Sequence, residues 1–248
     1  MASKRSVGVN NKLLAALPIN ERNLFIADCT IVDMALGSVI YEQGERIRHV
    51  YFPTESFISM LSVVDGKSML EVGMIGTEGM CGHSLLLGEN RAPLRALTQG
   101  SGKAWRMSAS MFREKLETLP TLRKVMGRYV TVIFRQLAQT AACTRFHVVE
   151  NRLARWLLMT RDRAHADSFE MTQDFLAYML GVRRSGVSYA AGILQSRQLI
   201  RYSRGSITIL DLQRLEACAC TCYQSDLDIY AHGMGLRRSG RIGRVPAN

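Results

Sequence analysis

Residues 171–211 read MTQDFLAYMLGVRRSGVSYAAGILQSRQLIRYSRGSITILD, two helical patterns split by a glycine and followed by a hairpin pattern. Thr172 is placed to cap a helix through QDFLAYML, because its hydroxyl can accept from a backbone N–H that the first turn leaves free. Gly181 stops that helix, since a left-handed residue closes the last turn at little steric cost. A second helix starts near Arg184, with Val187, Ala190, Ala191 and Leu194 at spacings of three and four facing inward. Arg184, Ser185, Ser188, Tyr189 and Gln195 fall on its other face. Ala177, Gly181, Gly186, Ala190 and Ala191 are small enough to let two helices cross closely. In LIRYSRGSITIL, a strand, an Arg204-Gly205 turn and a second strand would pack Ile200, Tyr202, Ile207 and Ile209 on one side. The pattern is that of a winged helix-turn-helix, whose second helix enters the major groove of DNA. A small helical domain with a solvated arginine face is the plainer alternative, and it does not explain turn, apolar stripe and hairpin together.

The remaining composition agrees with a polyanionic partner. The chain has 248 residues, 47% of them hydrophobic, and a formal charge of +11 from 32 Lys and Arg against 21 Asp and Glu. Such a balance favours nucleic acid or an anionic membrane surface, and by itself does not choose between them. No apolar run reaches the roughly 18 residues that span a bilayer, and MASKRSVGVNNK has no secretory apolar core, so a cytoplasmic protein with no membrane partner is expected. The six cysteines are unevenly spread, which fits reduced thiols better than a disulfide framework.

Residues 30–107 are short, β-rich and punctuated by glycine. Asp65-Gly66, between two apolar runs, is the strongest hairpin signal there, because a two-residue turn needs residues that tolerate positive φ. Many short strands at this spacing predict a β-roll or sandwich. From Pro120 the texture becomes helical: Leu122, Val125, Tyr129, Ile133 and Leu137 recur on one face, and Val130, Val132 and Phe134 widen the stripe beyond what one neighbouring domain would cover. The expectation is a helix paired with its copy in a homodimer, the alternative a plain buried helix. VVENRLARWLLMTRDRA predicts a further helix with Val149, Leu153, Trp156 and Leu157 on its apolar face, and Asp162 to Ser168 a turn. GLRRSGRIGRVPAN predicts a disordered basic tail whose Arg237, Arg238, Arg241 and Arg244 either touch phosphates or only solubilise the end.

Taken together, MTQDFLAYMLGVRRSGVSYAAGILQSRQLI and RYSRGSITILD resemble the Crp/Fnr family of bacterial transcription regulators, and the resemblance covers nearly the whole chain. It implies an α+β architecture: a cyclic-nucleotide-binding-like jelly roll over residues 1–117, a dimerisation helix over 118–146, a winged helix-turn-helix over 147–235 and the tail over 236–248. The implied function is sequence-specific DNA binding by a homodimer on a near-palindromic operator, with RNA polymerase and a small-molecule effector as further partners. The alternative is a ligand, gas or redox sensor that acts mainly through ligand or protein contacts. The candidate DNA-binding residues are Thr172, Gln173, Arg183, Arg184, Ser185, Ser188, Tyr189, Arg201, Arg204 and Ser206. Arg184 leads them, because a guanidinium fork can hold guanine O6 and N7 or a phosphate bidentately. Better-known members place Ser, Glu and Arg where this chain has Arg183, Ser185 and Tyr189, so its operator should differ from theirs.

In the family's nucleotide pocket a Gly-Glu turn precedes an Arg-Ser or Arg-Thr pair that neutralises the cyclic phosphate. Here Gly76, Glu78 and Gly79 supply the turn, but Ala92 and Pro93 fall where the pair belongs, flanked by Arg91 and Arg95. Burying a phosphate without a cation costs several kcal/mol, so cyclic AMP is not the expected effector, although another ligand could use the same cavity. An iron–sulfur cluster needs about four cysteines, and only Cys29 precedes Cys81. Cys81-Gly82-His83 matches the Cys-x-His of a haem-sensing relative, a spacing that is common by chance. No cofactor or metal is therefore assigned. CACTC would put Cys218 and Cys222 on one helical face with Cys220 away from it; a metal there would need soft ligands from elsewhere, so buried small side chains are the expectation. Gly100–Lys103 lacks the spacing of a phosphate-binding loop, neither G-x-S-x-G nor H-E-x-x-H occurs, and no catalytic residue is assigned.

Overall fold

The computed structural model describes residues 10–66, 68–203 and 205–236. Arg204 and the four tail arginines fall outside the described residues. Two short helices, α1 (Lys12–Ala15) and α2 (Ile19–Ile26), lead into seven strands: β1 (Thr30–Met34), β2 (Val39–Tyr41), β3 (His49–Pro53), β4 (Phe57–Val64), β5 (Ser68–Ile75), β6 (Arg95–Gly100) and β7 (Gly102–Ser108). They form two antiparallel sheets, ordered β1-β7-β3 and β2-β6-β4-β5. This is the expected β-roll. Asp65 and Gly66 both have positive φ, and Val64 pairs with Ser68, so three residues rather than two close the β4–β5 hairpin. Phe25, Phe52 and Phe112 meet edge to face inside the roll, where each large buried side chain contributes about 1.5–3 kcal/mol.

After α3 (Ala109–Thr118), α4 (Pro120–Phe146) runs for 27 residues, with Pro120 in its first turn where no N–H is needed. Its apolar stripe is divided between two neighbours and one open face, and the expected dimer face is corrected here. Leu122, Val125 and Tyr129 are buried in the core of the chain's own roll, and Ile133 packs against that core. Leu137 is half-buried, beside Met60 and Leu94 of the roll. Val132 is covered by α9 (Cys222–Met234), whose Gly233 has no room for a Cβ against Val132 Cγ2. Only the remaining face is open, with Phe134 73% exposed. A continuous apolar period shows that a helix is buried, and not by whom; α9 had no counterpart in the sequence reading.

Only His147, the cap of α4, and Val148 separate the end of α4 at Phe146 from α5 (Val149–Ala164). The DNA-binding half follows as β8 (Ser168–Glu170), α6 (Gln173–Leu180), α7 (Arg184–Ser196), β9 (Ile200–Ser203), β10 (Ser206–Ile209), α8 (Leu212–Cys218) and α9. Ser168, expected in a turn, starts β8, which pairs with β10 and gives the hairpin a third strand in the order β8-β10-β9. A second core holds Leu153, Trp156 and Leu157 with the inner faces of α6 and α7, and it includes Leu61 and Met74 of the roll. The two halves therefore share packed surface rather than only a linker.

Candidate nucleic-acid interface

The helix pair forms as its residues dictate. Thr172 is the N-cap of α6, accepting from Phe175 N at 3.2 Å. Gly181 caps its far end at φ 61°, and a Cβ there would lie 2.9 Å from Leu70 of β5, so both backbone and packing select glycine. Val187, Ala190, Ala191 and Leu194 are buried under α7. Arg183 is the N-cap of α7 in extended conformation and makes no capping bond with its side chain.

Most of the residues assigned to DNA converge. Arg183, Arg184, Ser185, Ser188 and Tyr189 are exposed at the start of α7, Tyr189 by 74%. Arg184 Nε lies 3.5 Å from Asp174 of α6, with both side chains about two-thirds exposed. Such a solvated pair holds the guanidinium only weakly and leaves it available. Ser188 donates to Gln173 Oε1 at 2.6 Å, so these two tie α6 to α7. Met171 N donates to Gly205 O at 2.6 Å, which sets the wing turn beside the start of α6. Arg201 and Ser206 are exposed on β9 and β10. The result is an exposed, cationic start of α7 with a hairpin beside it, the arrangement in which a winged helix-turn-helix presents its second helix.

The charged residues assigned to an effector pocket are each engaged by another group. Glu78 Oε1 lies 2.7 Å from Arg163 of α5 and accepts from Gly76 N at 3.1 Å. Gly79 lets Tyr129 of α4 approach: a Cβ there would lie 2.1 Å from the phenol oxygen. Arg91 donates to Gly44 O, and Arg95 Nε pairs with Glu42 at 3.3 Å. The space between roll and α4, lined by Met60, Met74, His83, Leu94, Ile133 and Leu137 among others, is only about 30 Å³, room for a water. In this conformation it fits neither a cyclic nucleotide nor a haem. Burial pushes the His83 imidazole down to about 4 and the Cys81 thiol up to about 12, so the pair that matches the Cys-x-His spacing is held neutral.

Sequence reasoning left the terminal cysteines as small buried side chains, and Cys220 and Cys222 are buried while Cys218 is half-buried; what the structure corrects is their placement on one helix. CACTC is not one helix: α8 ends at Cys218 and α9 begins at Cys222. Cys220 and Cys222 turn toward the end of α4, where Cys143 and His147 sit one turn apart. The signal was available as a Cys-x-x-x-His pair ending one helix, but nothing local joined it to a Cys-x-Cys far along the chain.

Residues 151–218 match the Crp-like helix-turn-helix domain family. No curated protein matches the sequence. Among solved structures, a Crp/Fnr-family regulator from Eubacterium rectale superposes with a TM-score of 0.67 at 16% identity over 83% of this chain and 96% of its own. FixK2 from Bradyrhizobium japonicum gives 0.65 at 15% identity over 77% and 98%. The c-di-GMP responsive global regulator CLP from Xanthomonas campestris gives 0.66 at 14% over 78% and 100%. Among the described residues no helix is long and apolar enough to cross a membrane. Residues 151–218 are thus a Crp-like helix-turn-helix domain, and the β-roll and long helix that carry it give the chain the fold shared by these Crp/Fnr-type regulators.

Proposed function

We propose that the protein is a cytoplasmic regulator that binds a near-palindromic DNA operator as a homodimer, with residues 1–117 as sensory roll, 118–146 as dimer helix and 147–235 as reader. The observation that carries this reading is the exposed start of α7, where Arg183, Arg184, Ser185, Ser188 and Tyr189 stand together beside the wing. Each subunit would set this end of α7 in one major groove, with half-sites about 34 Å apart. Arg184 and Tyr189 would meet base edges, and Arg201, Arg204 and Ser206 the backbone.

The dimer contact then belongs to the free face of α4. Gly127, Thr131, Phe134, Ala138, Ala141 and Arg145 are all exposed, and their alternating spacings of four and three make the seam of a coiled coil. Small residues around Phe134 let two helices approach closely. RNA polymerase and an effector remain further partners in this reading, the effector requiring the roll to open beside α4.

Selection from random duplexes by full-length protein at near-physiological salt tests the reading, because salt suppresses charge-driven binding. Recovery of an inverted repeat supports it. Binding that never rises above a salt-dependent background, with or without cell extract as a source of effector, sinks it.

A further inference from the structure

The end of α4 and the link between α8 and α9 bring four soft donors to one point. Cys143 lies in the last turn of α4, His147 is its C-cap, Cys220 sits in the link and Cys222 opens α9. Their ligand atoms all lie within 4.8 Å of one another. Cys143 Sγ is 3.5 Å from Cys220 Sγ, and Cys222 Sγ is 3.5 Å from His147 Nδ1. The three cysteines are buried and form a cluster separate from both apolar cores. We propose that Cys143, His147, Cys220 and Cys222 form a closed tetrahedral site for one divalent zinc-class ion.

The distances select that occupant over the other fates of buried thiols. A disulfide needs sulfurs about 2.05 Å apart, far closer than Cys143 and Cys220 stand. A tetrahedral ion with sulfur at about 2.3 Å and nitrogen at about 2.0 Å separates its ligands by roughly 3.5–3.8 Å; the Cys143–Cys220 and Cys222–His147 pairs stand at 3.5 Å, and all four donors lie within 4.8 Å, so a small contraction completes the shell. A multinuclear iron–sulfur cluster, whose ligands hold different iron atoms, spreads its sulfurs wider than this pocket allows. Three thiolates and an imidazole suit zinc, which takes borderline-soft donors in a closed four-coordinate shell.

The surroundings are those of an anionic centre. Gln139 Nε2 lies 2.9 Å from Cys222 Sγ and donates to it, an outer contact that would orient this ligand. Arg152 and Arg155, each only 8% exposed, feel the charge of Cys143 and Cys220 and would offset the net negative charge of three thiolates around a dication. Arg155 also pairs with Asp226 of α9 at 2.5 Å and donates to Thr140 of α4 at 3.2 Å, so the cationic support spans the two helices the ion would join. The ion would strap the C-terminal end of α4 to the α8–α9 link, at the corner where the DNA-binding half leaves the long helix. The site does not depend on what α7 binds.

The test uses the untagged full-length chain, purified anaerobically under reducing conditions. Elemental analysis should give one zinc per chain, and exchange with cobalt(II) should give the intense visible bands and thiolate charge transfer of a tetrahedral thiolate complex. Cys220→Ser and Cys143→Ser should lower zinc content about tenfold or more. Cys218→Ser should retain it, because Cys218 faces Glu150 outside the cluster, with its Sγ 3.4 Å from the carboxylate. Should Cys220→Ser fail to fold, the cobalt(II) spectrum of the unaltered protein decides. A reduced wild-type chain that neither retains zinc nor yields a tetrahedral cobalt spectrum overturns the assignment. A Cys143–Cys220 disulfide in that preparation, iron–sulfur absorption, or equal zinc loss in Cys218→Ser does the same.

Discussion

Trp156 of α5 donates its indole N–H to the buried carboxyl of Glu71 on β5 at 2.9 Å, across the junction between roll and DNA-binding half. Ser59 donates to the other oxygen at 2.5 Å. Burial pushes the Glu71 pKa up from 4.5 to about 7, against the lowering effect of these hydrogen bonds and of Arg163 and Arg155. Between pH 4.5 and 7 the folded chain holds a proton that the unfolded chain has released. This contribution is therefore greatest at or below pH 4.5 and is lost as pH rises through about 7, to the extent of about 3 kcal/mol. Urea unfolding of wild type and Glu71→Gln between pH 5 and 8 should show a decline in wild type that the variant lacks. Parallel pH profiles would refute the coupling.

Phe134 is a large exposed apolar group midway along α4, while Leu122 at the same helix's start is fully buried. Phe134→Glu should halve the solution mass in sedimentation and leave the unfolding midpoint of the dilute monomer nearly unchanged. Leu122→Ala should instead cost about 2–5 kcal/mol as a core truncation. A dimer that survives Phe134→Glu would place the interface elsewhere.

These two residues show how far the sequence could be read. Local grammar was legible: the Thr172 cap, the Gly181 stop and the inward set Val187 to Leu194 all depend on neighbours within a few positions and formed as expected, and the Asp65-Gly66 turn formed at its place, one residue longer than expected. Which surface buries a stripe depends on distant chain. Leu122 and Phe134 both read as interface, and one lies under the roll while the other is open. Glu78, Arg91 and Arg95 were grouped by analogy with a phosphate pocket, but each took a different nearby partner, Arg163, the Gly44 carbonyl and Glu42. The Cys/His cluster escaped because its two halves meet only after α9 folds back along α4.

Gly79 tests the contact between roll and long helix. The missing side chain is what admits the Tyr129 hydroxyl, and a methyl there would overlap ring and oxygen within a filled core. Gly79→Ala should destabilise by about 1–3 kcal/mol, the range for overpacking, and Tyr129→Phe in the same chain should recover part of the loss by removing the oxygen. Chemical denaturation of the two single variants and the double variant measures the coupling. Strict additivity would mean that the clash is relieved elsewhere.

Arg184 separates base reading from charge attraction on α7. Its only ion-pair partner among the described residues is the exposed Asp174, so Arg184→Ala should shift stability by less than about 1 kcal/mol. Its effect on DNA should be larger, about 1–3 kcal/mol on the selected operator, with relaxed preference at one base pair in each half-site. Arg184→Lys should rescue phosphate attraction but not the two-pronged contact, because an ammonium is a point charge without a planar fork. Binding isotherms on the operator and on its single-base variants at two salt concentrations distinguish the cases. A uniform loss on every sequence, repaired by lysine and accompanied by a shallower salt slope, would reassign Arg184 to the phosphate backbone and leave Tyr189 and Ser185 as the readers of sequence.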